Sequence, residues 1–166
     1  MSLVEQFNIG SRVKGVTALA TQITQTSNTA ATTQDGLTID RNTSGYKRYY
    51  SAKLVVAGQF LYAASSAHIA TIASLNVQHS SDGTSWDNYS TGTAPSAVTW
   101  GSSSGGAVGT TAGTAAAAIE QSVNLNGARR FIRVQIPAPT FSDCSSGSVL
   151  SIGAVCVFGG ADELPA

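Results

Sequence analysis

The chain has 166 residues, 11% of them charged, and its nine acidic residues balance its nine basic ones. That length suits one domain with a single core and arms outside it. A charge content well below the roughly 25% of an average soluble protein, with no basic excess, argues against a surface that tracks nucleic-acid phosphates, so solubility must come from hydroxyls and amides.

The opening segment, MSLVEQFNIGSRVKG, contains Glu5 and lacks the apolar run of a secretory signal, which predicts no export by that route. Residues 1–35 read as an extended N-terminal arm or an edge strand. They are rich in Thr, Ala and Gln, with weak alternation at Val16, Leu19 and Ile23. Between Val4 and Asp35 the charges before the final acid are Glu5, Arg12 and Lys14, too few to protect a strand edge. The arm is therefore expected to order only against neighbouring chains, and its removal to leave a folded sandwich.

Residues 36–160 read as that sandwich. LTID (37–40) alternates, and YKRYYSAKLVVAGQF (46–60) has the aromatic and β-branched enrichment of a longer strand. HIATIASLNVQHS (68–80) reads as one strand, with Leu75 and Val77 on one face and Asn76 and Gln78 on the other. Next comes SSDGTSWDNY (80–89), where Asp82-Gly83 supplies the left-handed conformation a tight turn needs, and Trp86 is expected to close the end of the core. SAVTWGS (96–102) is a further strand. The following GSSSGGAVGTTAGTAAAA has too few large apolar groups to fold alone, and its part from Gly101 to Ala115 should, like the arm, order by contact.

In IEQSVNLNG, Val123 and Leu125 alternate with Asn124 and Asn126; in ARRFIRVQIPAP, Ile132, Val134 and Ile136 point inward and Arg133 and Gln135 outward. Asn126-Gly127 between them reads as a hairpin turn. SVLSIGAVCVFGG closes the domain, with Leu150, Ile152, Ala154, Cys156 and Phe158 in register, and residues 161–166 form a C-terminal tail. Seven or eight evenly spaced strands and no amphipathic helix give an all-β fold, an antiparallel β-sandwich of jelly-roll type. No run of about 18 apolar residues occurs, so no membrane span is expected.

Chemistry finds little purchase in these residues. His68 and His79 would stand roughly 36 Å apart on one straight strand, out of reach of a shared metal unless the strand breaks. Asp82, Asp87 and Asn88 could offer oxygens to calcium, but not at a calcium-loop spacing with its closing Glu. No GxSxG elbow occurs, and Cys144 and Cys156 read as reduced core or rim thiols rather than a redox or metal pair. No catalytic, cofactor or metal residue is therefore assigned, and the protein is not expected to be an enzyme. Lys47 and Arg48, set among Tyr46, Tyr49 and Tyr50, fit strand-edge side chains better than a nucleic-acid platform, and with Arg129, Arg130 and Arg133 they are the candidate interface residues. Arg129, Arg130 and Arg133 fit two readings equally: a carboxylate-paired sheet face or interface anchors. Asp82, Gly83 and Trp86 are structural turn residues on this reading.

Two resemblances bear on function. The SxDGxxW pattern, followed some forty residues later by ARRFIRV, resembles discoidin-like β-sandwich modules, which bind sugars and lipids; it covers about a third of the chain. Across most of its length the chain resembles the jelly-roll capsid decoration, or cement, proteins of tailed bacteriophages. The features that carry this likeness are the weakly charged arm, VQHSSDGTSW, GARRFIRVQI and the GGADELPA tail. The second resemblance implies a structural virion protein, made in the host cytoplasm, that binds the outer capsid surface and bridges major capsid subunits. The poorly protected N-terminal edge points to a homo-oligomer, dimer or trimer, and no cofactor is expected. The first implies carbohydrate binding for host attachment, and a tail-associated virion protein is a further alternative.

Overall fold

The computed structural model describes residues 14–25, 31–42, 49–62, 69–89, 98–101, 113–142 and 148–161. The described residues form strands and turns, with every strand pair antiparallel. In chain order the strands are β1 (Lys14–Gln25), β2 (Gln34–Asp35), β3 (Ile39–Asp40), β4 (Tyr49–Tyr62), β5 (Ile69–Ile72), β6 (Asn76–Ser80), β7 (Asp87–Asn88), β8 (Val98–Gly101), β9 (Gly113–Asn124), β10 (Phe131–Ile136), β11 (Thr140–Ser142) and β12 (Ser148–Ala161).

One sheet runs β1-β12-β4-β9. Facing it, β2 and β3 pair in turn along one edge of β10, whose other edge continues to β6 and β7, and a second group runs β11-β5-β8. Counting β2 with β3, β5 with β6, β7 with β8 and β10 with β11 as one position each reduces the twelve segments to eight. Numbered in sequence, the eight lie in the orders 1-8-3-6 and 2-7-4-5, the arrangement of a jelly roll. The core fills the space between. From the four-stranded sheet come Leu54, Val56, Phe60, Leu150, Ile152, Ala154, Cys156 and Phe158; from the opposing one come Ala70, Ile72, Val77, Ile132, Val134 and Ile136. Strict alternation along β10 and β12 puts these side chains inward, as a period of two requires.

Four expectations change. The segment 68–80 is not one strand: β5 and β6 join different groups, separated at residues 73–75. The cause lies across the sheet. Gln135 pairs with Asn76 and Thr140 with Thr71, so Pro137-Ala138-Pro139 lies opposite the break, and prolines cannot donate to a ladder. The carbonyl of Pro139 instead accepts from the backbone N–H of Ala31. His68 lies outside the described residues, and the assumption of a straight strand to His79 fails.

Asn126-Gly127 is not a hairpin, because β9 pairs with β4 and β10 with β6, in opposite sheets. Gly127 has φ +95° and the Ala128 N–H donates to the Leu125 carbonyl, so the turn chemistry is as read. The turn carries the chain over the end of the sandwich, with Leu125 and Ala128 both buried in the core.

The Gly/Ala-rich segment becomes strand from Gly113 onward: β9 pairs with β4 from Gly113 opposite Tyr62 to Asn124 opposite Ser51. Pairing with a long, well-anchored strand overrides the poor β-propensity of alanine. The remainder of that loop, 102–112, lies outside the described residues. Residues 14–25 do not wait for a neighbouring chain either. They form the edge strand on β12 and bury Ala18, Leu19 and Ile23, so removing residues 2–35 would take away part of the core.

Candidate functional site

The SSDGTSW turn folds over the outside of the β10–β6 sheet. The Ser80 hydroxyl donates to the Asp82 carboxylate (2.8 Å) and accepts from the Gly83 N–H (2.9 Å), while the Asp82 carboxylate also accepts from the N–H groups of Thr84 and Ser85, both at 2.8 Å. The Ser85 N–H above all, then those of Thr84 and the Ser80 hydroxyl, hold the Asp82 carboxyl far below the usual carboxylate range. Gly83 has φ +77°, the left-handed region that favours glycine. A Cβ there would lie 3.7 Å from the Phe131 ring, so the turn rests on the outward side chain of β10.

This arrangement corrects the placement of Trp86. The indole is half-buried and does not belong to the core. It lies on the outer sheet face with the Arg133 guanidinium 4.5 Å from its ring centroid. Arg133 Nε donates to Gln78 Oε1 (2.8 Å), and its Nη1 stands 3.2 Å from Asp35 Oδ2. Gln78 Nε2 in turn donates to Asn88 Oδ1 (3.0 Å) and Gln135 Oε1 (3.2 Å). Trp86 therefore covers one end of a polar network. Trp86→Ala is expected to cost about 1–2 kcal/mol, the sum of partial burial and a cation–π contact, rather than the roughly 3–5 kcal/mol of a core aromatic. Urea titration of the variant checks this, and a loss above about 3 kcal/mol would place the ring's role in the core after all.

Each of the three arginines singled out in the sequence meets a carboxylate. Arg129 pairs with Asp87, and its backbone N–H donates to His79 Nδ1 (3.3 Å). Arg130 holds Asp40 through Nε (3.0 Å) and Nη2 (2.7 Å) and lies 4.8 Å from the Phe131 ring centroid. The Arg130 hydrogen bonds are the chief reason the Asp40 carboxyl stays below its ordinary range. Burial, then the charge of Arg129, keeps the His79 imidazole neutral to lower pH than usual; its ring packs 4.9 Å from that of Tyr89. Asp82, Asp87 and Asn88 are committed to three different partners: their own turn, Arg129 and Gln78. Among the described residues no group of three or more His, Cys, Asp or Glu is placed to hold a metal. Lys47, Arg48 and Cys144 lie outside the described residues. Cys156 is buried in the core, which pushes its thiol up to about 12.

Sequence reading passed over two features. The first is Arg41, buried at 4% exposure, whose guanidinium donates to the carbonyls of Leu125, Ala128, Arg129 and Tyr49. Continuing the alternation of Ile39 and Asp40 by one residue would have placed Arg41 inward. The second is the outward face of the β1-β12-β4-β9 sheet. The charged residues of these four strands are Lys14, Lys53 and Glu120, and the last two are paired with each other across β4 and β9. Among the described residues, the rest of the outward surface consists of Gly, Ala, Ser, Thr, Asn and Gln around Val55, Val149, Val155, Val157 and Leu61; Val155 and Leu61 are each 41% exposed.

No family model matches the chain, and no curated protein does either. Among solved structures, the PBSX exported protein XepA aligns over 92% of this chain at 14% identity and a TM-score of 0.38. The infectious bursal disease virus Gx strain structure aligns over 93% at 13% identity and 0.45, and the VP2 subviral particle of that virus over 93% at 15% and 0.42. The chain spans 39%, 33% and 34% of those three chains. With TM-scores below 0.5, these likenesses carry no argument about function.

Proposed function

We propose that this chain is a structural component of a bacteriophage particle that works by contact alone, seated on the outside of the capsid and bridging major capsid subunits. The observation that supports this most is the long four-stranded sheet whose outward face carries one internally compensated ion pair and is otherwise small, polar-neutral or aliphatic. A sheet face with so few charged side chains suits the centre of a protein contact, where charge is depleted. The sequence resemblance to capsid decoration proteins supplies the capsid as partner, the particle exterior as location and the host cytoplasm as the place of synthesis.

The opposite sheet supports a second reading, carbohydrate binding, because a half-exposed Trp86 is joined through Arg133 to the amide network of Gln78, Asn88 and Gln135, groups that can hydrogen-bond a polar ligand. Against it, those amides hydrogen-bond one another and the Arg133 guanidinium covers one face of the indole. Co-sedimentation with purified empty capsids, run beside a glycan array, separates the two. Capsid binding that survives Trp86→Ala is the expected result. Glycan binding without capsid binding would replace the first reading with the second.

A further inference from the structure

We infer that the outward face of the β1-β12-β4-β9 sheet seats a second copy of this chain, the two sheets packing face to face about a two-fold axis near the cross-strand pair Val55–Val155. This rests on the reading of that face as a contact surface and names its occupant: the face is taken by a second copy, and the capsid contact of the dimer lies on its other surfaces.

Area is the first argument. All four strands run side by side over about ten residues of β12, from Val149 to Phe158. At roughly 3.3 Å per residue and 4.8 Å between strands, that overlap measures about 33 by 19 Å, or about 600 Å² in plan. With side-chain relief added, it approaches the roughly 800 Å² per partner of a standard stable interface.

Charge is the second. A two-fold contact sets a patch against itself, so any net charge on it meets its own sign. Lys53 and Glu120 neutralise each other within one chain, and among the described residues no other charged side chain projects from this face, so it is self-compatible. A strongly charged partner would find little on it to recognise.

The third argument is Gly153, which lies on the outward side of β12, opposite Ala57 and Ala20. Glycine weakens a strand interior, and where it recurs it marks a bulge, a bend or the close approach of another backbone. Nothing among the described residues requires it: a Cβ at Gly153 would meet none of their atoms within 4 Å. Close approach from outside accounts for it.

The alternative way for two copies to join, pairing β1 edges, is blunted by the fold. The β1 register shifts between Thr17 and Leu19, and the Ala18 carbonyl accepts the Leu37 N–H of its own chain at 2.7 Å. A bulge of this kind interrupts an edge as a template.

Light scattering coupled to gel filtration on the isolated full-length protein, at micromolar concentration and without capsids, tests the inference. Wild type should run at twice the chain mass. Val155→Lys should run at the mass of one chain with an unchanged far-ultraviolet circular dichroism spectrum, and Val155→Thr should keep the dimer mass. A monomeric wild type, or a Val155→Lys variant that stays dimeric, overturns it. If Val155→Lys fails to fold, Gly153→Glu on the same face gives the same reading. A dimer that ignores capsids would leave this inference standing and remove the capsid proposal; a monomer that binds them would do the reverse.

Discussion

Arg41→Met is expected to lower the stability of the fold by roughly 3–5 kcal/mol, among the largest effects of any single substitution in this chain. The side chain is 4% exposed, and its two terminal nitrogens reach four carbonyls: Nη1 those of Ala128 (2.5 Å) and Arg129 (3.1 Å), Nη2 those of Tyr49 (2.6 Å) and Leu125 (3.2 Å). Three of these belong to the turn that carries the chain from β9 in one sheet to β10 in the other, and the fourth to the first residue of β4. The guanidinium thus fastens the corner where the two sheets separate.

Buried charge can often be replaced by apolar groups at no net loss, but only when every polar partner is replaced with it. Here the partners are backbone carbonyls and stay. Each one left without a donor costs about 1–3 kcal/mol, which outweighs the desolvation that methionine avoids. Methionine keeps the length and the apolar stem, so the loss reports hydrogen bonding rather than packing. Arg41→Lys should fall between, since one ammonium cannot span four carbonyls. Urea denaturation of the three proteins checks the order; a methionine variant within about 1 kcal/mol of wild type would mean the turn holds without its arginine.

What the sequence conveyed was periodicity, and what it withheld was partnership. Alternation in ARRFIRVQI and SVLSIGAVCVF identified the inward residues of β10 and β12, because each of these strands buries one face along its length. The Asn126-Gly127 turn was visible for the same local reason: it needs a residue that tolerates positive φ. Nothing local says which sheet the next strand joins, so a corner between sheets looked like a hairpin. The break at residues 73–75 is set by prolines more than sixty residues away, and those can be connected to it only once β5 is known to pair with β11 and β6 with β10. The alanines before Ile119 form strand because β4 lies beside them, a long-range cause that composition hides. Asp82-Gly83 announced its turn plainly. Trp86 lay beyond it, on a segment crossing outside the sheet, where strand alternation no longer assigns a side.

Gly36→Ala should cost at least about 2–3 kcal/mol, although the substitution adds a single methyl group at a backbone that is not left-handed. The added Cβ would stand 2.4 Å from the Ala18 carbonyl oxygen and 2.7 Å from that of Val134, and both are backbone atoms that cannot swing aside. The same two oxygens are the acceptors that fix the segment, from the Gly36 N–H to Val134 and from the Leu37 N–H to Ala18, each at 2.7 Å. Ala18 belongs to the β1 edge of one sheet and Val134 to β10 of the other, so residues 36 and 37 tie the two layers together at close range. Relieving the clash means lengthening one of those bonds or moving β1 off its bulge. Alanine does restrict the unfolded chain, a gain of about 0.4–1 kcal/mol, but that is smaller than the steric cost, so the sign stays destabilising. Gly15→Ala makes the comparison clean: its Cβ would meet only the Val155 Cγ1, at an ordinary 3.9 Å, and should stay within about 0.5 kcal/mol of wild type. Thermal melts of both variants read the contrast. Equal melting temperatures would show that the 36–37 tie can relax freely, and that the two sheets are held at this corner by Arg41 and the core alone.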